Sequence, residues 1–487
     1  MLIKNVVLAP GENAVDVQTV DGVVVEIGSA EAAARPIDGG VLDGRGAALL
    51  PSFVDNHLHL TQWAASLTRI DVSGADSAVD VVDILARSNE RHGHGILRAQ
   101  GFRDALWPDV PHKDVLQNAL PGRRAAVTSM DLHTLWLSPA LLAELGIDHP
   151  TGVLRDHDCM EGLNALDKLA DPADSDRETL TATAELARRG ITAVVDFEYA
   201  DNRAVWSRRA EHRPPAVDVR FAVWPEWLEH ELILGAATGD TVADRVSLGP
   251  LKVMFDGSLN TRTACCHDPY PGGTNTGLLL ETPEGLVDVM RRAHAGGIRP
   301  AIHAIGDRAN TLALDAFERI GGGGSIEHAQ QLLPTDVARF AAAGVTASVQ
   351  PQHAMSDREV ADELWSGRAS IAYPYLSLHR ANARLLFGSD APVSPPAPLS
   401  AVADSVWRTD DERAPWQSQE ALPLEVALAA ASGGRRCVEV GSAADLVLLA
   451  EHPLILGNDD LRAVPVVATV RAGALTYERA REASPAG

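Results

Sequence analysis

PSFVDNHLHL, residues 51–60, is an apolar run that ends in two imidazoles, His57 and His59. Residues i and i+2 of a strand face the same side, so both rings can reach one ion. Neutral imidazole is the commonest protein ligand for zinc. By itself a His-X-His pair is more often two solvated or hydrogen-bonded histidines than a site, so further ligands have to come from elsewhere in the chain.

Downstream, seven more apolar runs read as strands: ITAVVDF (191–197), VDVRFAVWP (217–225), LKVMFDG (251–257), IRPAIHAIG (298–306), SIEHAQ (325–330), VTASVQP (345–351) and RLLFGSD (384–390). With the strand ending at His57 they make a set of eight, separated mostly by helical segments. Near-continuous apolar strands alternating with amphipathic helices describe a parallel sheet covered by helices, and eight of them predict an α/β fold of the (β/α)8 TIM-barrel type. The stretch 61–190 is too long for one helix and predicts a large insertion after the first strand, with helices such as SAVDVVDILARSNER (77–91) and SPALLAELG (138–146). The segment 397–420 is polar and predicts a loop across the barrel mouth, and GGGG at 321–324 predicts a turn before a strand.

The two ends have another texture. LIKNVVLAP, VDVQTV, DGVVVEIG and GAALLPSF lie near the start, AADLVLLA and VVATVRAGALTYE near the end, with hairpin turns expected at Asp21-Gly22 and Ala472-Gly473. Each end is too short for its own core, so the two are expected to pair in one β-sandwich. The expected domains are 1–50 and 436–487 as the two parts of that sandwich, with the barrel at 51–435.

A formal charge of −24 argues against nucleic acid or an anionic membrane as partner, leaving a small-molecule substrate. Four cysteines, Cys159, Cys265, Cys266 and Cys437, in 487 residues make no disulfide framework and no Cys-X-X-Cys pair, which fits a cytoplasmic protein. The first residues reach Gly and acidic positions too early for a signal sequence, and no apolar run is long enough to cross a bilayer.

In this reading polar residues close several strands: His57 and His59 on the first, Lys252 on the fourth, His303 on the fifth, His328 on the sixth, Asp390 on the eighth. Each has an ordinary explanation alone. Lys252 can snorkel, the histidines can be satisfied core residues, and Asp390 can cap a helix. Barrel active sites, however, sit at the C-terminal ends of the strands. Burying imidazoles, a lysine and a carboxylate together there is costly unless an ion neutralises them.

PSFVDNHLHL, DLHTLWLSPALLAELGI followed by TGVLRD, LKVMFDGSLNTRTA, AIHAIGDRAN, SIEHAQ, ASVQPQH, LFGSDAPV and AADLVLLA occur in one order over nearly the whole chain. In these motifs the sequence resembles the amidohydrolase superfamily, within it amidohydrolase family 3, the YtcJ-like metal-dependent hydrolases that include N-substituted formamide deformylase. The resemblance implies a barrel with a terminal β-sandwich and metal ligands at His57, His59, Lys252, His303, His328 and Asp390. In related amidohydrolases the fourth-strand lysine adds carbon dioxide. A carboxylated Lys252 would then bridge two cations, one held also by His57, His59 and Asp390, the other by His303 and His328. An unmodified Lys252 implies a single metal. Nitrogen and oxygen donors without thiolate suit zinc and admit manganese or iron.

The expected activity is hydrolysis of a non-peptide carbon–nitrogen bond in an amide, N-acyl or N-formyl small molecule. A metal-activated water would attack and Asp390 would transfer the proton. An esterase, deaminase or isomerase on the same site, and a noncatalytic metal-free homologue, are the alternatives. His133 and His353, then Arg262 and Asp307, are candidate substrate contacts, each with a surface or local-loop explanation about as good. Trp63, Trp107, Trp136, Trp224 and Trp227 are candidates for an apolar pocket wall, and Cys265-Cys266 for packing. Association into a homo-oligomer is left open.

Overall fold

The computed structural model of the chain describes residues 1–28, 40–89, 95–169 and 171–480. At its centre eight parallel strands follow one another in chain order: β1 (Phe53–Leu58), β2 (Ile191–Asp196), β3 (Asp218–Val223), β4 (Val246–Met254), β5 (Pro300–Ala304), β6 (Gly324–His328), β7 (Val345–Val349) and β8 (Arg384–Phe387). Closure is made by β8 against β1. Asn56 Nδ2 donates to Phe387 O (3.0 Å), Ser389 N to Asp55 Oδ1 (2.9 Å), and Asp390 N to His57 O (2.6 Å). The result is the nearly closed TIM-like barrel expected from the eight apolar runs.

Gly388 is what lets the two edges approach. A Cβ there would stand 2.6 Å from both the backbone nitrogen and the Cβ of His57. Gly388→Ala is therefore expected to destabilise the protein by about 1–3 kcal/mol, the usual cost of overpacking. An unchanged denaturant midpoint would show that β8 is not held tightly against β1.

β4 starts five residues before the expected run. Val246, Ser247 and Leu248 pair with Val219, Arg220 and Phe221, and the register then shifts around Gly249-Pro250. A proline that reads as a break is tolerated at such an irregularity, where no ladder donor is required. GGGG ends the helix Asp307–Ile320, with Gly321 (φ 93°) as its left-handed cap, and β6 begins at Gly324.

The segment 397–420 departs from expectation. Pro398–Trp407 is a helix with Leu399, Val402 and Ala403 buried. Leu399, Val402, Ala403 and Val406 recur at helical spacing behind a first-turn proline, a pattern that the charged residues after Trp407 obscure.

Both ends form a sandwich of two four-stranded sheets. One holds 23–28, 15–20, 2–6 and 41–43; the other holds 474–478, 466–471, 446–449 and 48–51. The mixed origin of the second sheet comes from Ala48–Pro51 pairing antiparallel with Leu446–Leu449. Asp21 and Gly22 (φ 48° and 76°) and Ala472 and Gly473 (48° and 75°) make the expected hairpin turns.

The insertion contains the helices Ala78–Asn89 and Pro139–Leu145, with residues 90 and 91 of the first expected helix outside the described residues. It also contains a five-stranded sheet, ordered 153–155, 134–137, 125–129, 97–102, 70–71, over a core of its own that includes Phe102 and Trp136. These strands escaped notice because Ala125–Ser129 and Thr134–Leu137 are buried throughout, so no polar alternation marks them. No helix among the described residues is long and apolar enough to cross a membrane.

Candidate metal centre

The ends of five strands bring the six expected ligands together. His57 lies in β1, and His59 stands at the start of the helix Leu60–Ser66. Lys252, His303 and His328 lie in β4, β5 and β6, while Asp390 follows β8. His57 Nε2 is 3.4 Å from Asp390 Oδ1 and 3.3 Å from Lys252 Nζ. His59 Nε2 reaches the same Asp390 oxygen at 3.3 Å. The His328 ring centroid lies 4.9 Å from that of His57 and 4.5 Å from that of His303. Ligand atoms of His57, His328 and Asp390 all fall within 4.8 Å of one another. His328 thus groups with His57 and Asp390 as well as neighbouring His303, whereas the sequence reading divided these residues between two cations.

Glu327 is the residue sequence reasoning missed. Its Oε2 accepts from His57 Nδ1 at 2.7 Å, which leaves His57 Nε2 as the nitrogen able to ligate a cation, and its Oε1 accepts from Ser325 Oγ at 2.5 Å. Neighbours in a strand face opposite sides, so turning His328 inward should send Glu327 outward. The chain breaks that alternation at the strand end, where His328 and Ala329 have φ of 75° and 44°. A glutamate directly before an inward histidine in SIEHAQ was the available signal. Glu327→Gln keeps the shape but weakens the hold on His57, and metal affinity should fall about 10- to 100-fold. Competition with a chelator measures this; an unchanged affinity would remove Glu327 from the site.

Electrostatics prepare the group for a cation. Burial, with the nearby Lys252 charge, drives the His57 imidazole well below its ordinary range. Burial does the same to His303, with His328 and Lys252 adding to it, and lowers His328 to about 3. Burial would raise Asp390, but His57, a hydrogen bond from His59 and the His328 imidazole hold it well below the usual carboxylate range. Neutral imidazoles at His57, His303 and His328 and an ionised Asp390 are protonation states that metal binding requires, whereas at His59 the cost of burial is outweighed by the hydrogen bond and charge of Asp390, which raise its pKa. Lys252 is 1% exposed, its Nζ stands 4.5 Å from the Phe197 ring centroid, and burial lowers it to about 8. His59 Nδ1 is buried with no hydrogen-bond partner among the described residues. The donor set of nitrogen and oxygen fits a divalent cation such as zinc.

Above the cluster opens a cavity of about 830 Å³ lined by all six residues. His133 and His353 also line it. His133 comes from the insertion, where its Nδ1 bonds Asp156 Oδ1 (2.9 Å) and its ring centroid lies 6.5 Å from that of His303. Arg262 and Asp307 lie outside the wall. Arg262 is an exposed turn residue, and Asp307 is buried with Oδ1 accepting from His267 N (2.9 Å). Their positions after strands brought them near the mouth in sequence, but the loop folded them elsewhere. Of the tryptophans, Trp224 lines the cavity; Trp63 fills the barrel core and Trp107 and Trp136 the insertion core, while Trp227 packs on the barrel. Cys265 and Cys266 are buried and packed in the barrel core.

Among known proteins, the model of the amidohydrolase family matches residues 40–477. The chain is 25% identical over 487 aligned residues to the putative amidohydrolase YtcJ of Bacillus subtilis strain 168, covering 89% of this chain and 90% of that protein. With N-substituted formamide deformylase of Arthrobacter pascens it shares 24% identity, covering 92% and 91%. The crystal structure of an uncharacterized metal-dependent hydrolase from Pyrococcus horikoshii OT3 superposes with a TM-score of 0.79 at 24% identity, covering 94% of this chain and 99% of that one.

Proposed function

The chain belongs to the amidohydrolase family, and from that premise we propose that this metal-dependent hydrolase cleaves a non-peptide carbon–nitrogen bond in a small amide, N-acyl or N-formyl compound. The observation that carries the reading is the convergence of His57, His59, Lys252, His328 and Asp390 at the floor of one cavity. His57, His59, His303, His328 and Asp390, with Lys252 in carboxylated form, are the residues that would hold a divalent cation such as zinc. When bound, the cation supplies Lewis acidity toward the substrate carbonyl and lowers the pKa of a water.

The side chains do the rest. Glu327 fixes the His57 tautomer through the 2.7 Å bond to Nδ1. Asp390, kept ionised by the surrounding imidazoles, accepts the proton of the attacking water and returns it to the leaving nitrogen. Met130, Leu132, Met160, Leu259 and Trp224 present an apolar wall suited to a modest, partly apolar substituent. The name of the Arthrobacter pascens relative supports N-substituted amides as the class to try first. The charge of −24 supports a small-molecule partner in place of nucleic acid.

The test is a hydrolysis screen of N-formyl, N-acyl and cyclic amides, with matched esters and amino-heterocycles, on zinc- and manganese-loaded enzyme. Turnover of amides is expected. Turnover confined to esters or to ring deamination would overturn the bond type, and failure of metal-replete protein to retain any divalent ion would overturn the mechanism.

A further inference from the structure

Two buried polar atoms beside the metal cluster have no hydrogen-bond partner among the described residues: Gln330 Oε1 and His353 Nε2. Gln330 follows His328 by two positions, just past β6, and is 4% exposed; His353 sits on the helix Pro351–Ser356 and is 5% exposed. Both line the cavity. Each holds the other in place, because Gln330 Nε2 is 3.5 Å from His353 Nδ1. An amide nitrogen only donates, so in this pairing His353 Nδ1 accepts and the ring hydrogen sits on Nε2. The His353 ring also stacks over His328, with centroids 6.2 Å apart and planes 10° from parallel. Asp390 Oδ2 lies 3.9 Å from His353 Nε2, too far to satisfy it.

What remains is one donor, His353 Nε2–H, and one acceptor, Gln330 Oε1, on two residues that line the same cavity. Polar atoms buried in this way are ordinarily paired, and water or a ligand has to serve them. A secondary amide presents the complementary set, a carbonyl oxygen that accepts and an N–H that donates. An ester lacks the donor, and an N,N-disubstituted amide has lost it. We propose that Gln330 and His353 read the scissile amide itself, Gln330 Oε1 accepting the substrate N–H and His353 Nε2–H donating to its carbonyl oxygen, so that the enzyme selects amides carrying an N–H. The inference rests on the amide-hydrolase reading above.

The test measures kcat/KM of the metal-loaded full-length enzyme on N-benzylformamide and N-benzylacetamide, on their N-methyl counterparts, and on benzyl formate. The wild type is expected to favour the N–H amides over the N-methyl ones by about 10- to 100-fold, the effect of leaving Gln330 Oε1 unpaired. Gln330→Met should lower the rate on the N–H amides by about tenfold or more beyond any loss it causes on benzyl formate and the N-methyl amides, a common loss on all substrates reporting only the weakened hold on His353. Equal wild-type rates on both amide types, or a Gln330→Met effect that is the same for all substrates, would overturn the proposal. If the methionine variant fails to fold, Gln330→Leu and the wild-type comparison still decide. Inactivity of the wild type on every amide, with metal bound, sinks the amide reading and with it this inference; normal amide turnover with an indifferent Gln330→Met sinks the inference alone.

Discussion

Asp390→Asn is expected to lower kcat by about a thousandfold, within the range that loss of a positioned acid–base group produces. The variant should still fold. Asp390 has a φ of 57°, a left-handed conformation that asparagine adopts more readily than most residues. Its backbone nitrogen donates to His57 O whatever the side chain carries. What disappears is the carboxylate charge between His57 Nε2 and His59 Nε2, at 3.4 and 3.3 Å. An amide cannot take the proton of a water at neutral pH, and it is a weaker partner for a cation. Near-normal turnover by a folded, metal-loaded Asp390→Asn would remove this residue from the chemistry. Elemental analysis run beside the kinetics separates loss of metal from loss of proton transfer.

Lys252→Met is the second large effect, and it has opposite signs on activity and stability. Burial lowers the Lys252 ammonium from 10.5 to about 8, which corresponds to about 3 kcal/mol of strain on its charged form. The folded pKa lies below the unfolded one. This penalty is therefore complete below pH 8 and fades as pH rises toward 10.5, where the unfolded chain still binds the proton and the folded chain has released it. Methionine fills the same volume without the charge, so the metal-stripped variant should be more stable than metal-stripped wild type at pH 7, and that pH slope should vanish. Activity should fall by at least about a hundredfold, in line with loss of a group that holds the metal. Bound metal per chain should fall with it. Wild-type stoichiometry and rate in Lys252→Met would exclude the lysine from the centre, and an unchanged midpoint would show that its charge is already relieved in the folded protein.

Much of the architecture is legible before any coordinates because it rests on periodicity. Eight apolar runs separated by helical spacing allow few arrangements other than a parallel sheet wrapped by helices. The candidate ligands were legible for a related reason, since ionisable residues at the ends of such strands have little reason to be there unless they meet. Patterns in which burial erases alternation were not legible. Ala125–Ser129 and Thr134–Leu137 of the insertion are buried throughout and show no alternation, the charged residues after Trp407 obscure the helix Pro398–Trp407, and Pro250 hides the early start of β4.

The sequence alone determined the order of the strands, the pairing of the two ends and the identities of the six side chains at the barrel rim, because hydrophobic period and residue chemistry are local properties. Tertiary structure alone decided that Glu327 turns toward His57, that Gln330 and His353 share a bond, and that Arg262 and Asp307 lie outside the cavity wall. These outcomes depend on backbone turns at strand ends, such as the positive φ of His328 and Ala329. There the two-residue period stops, and contacts between distant segments choose the direction of each side chain.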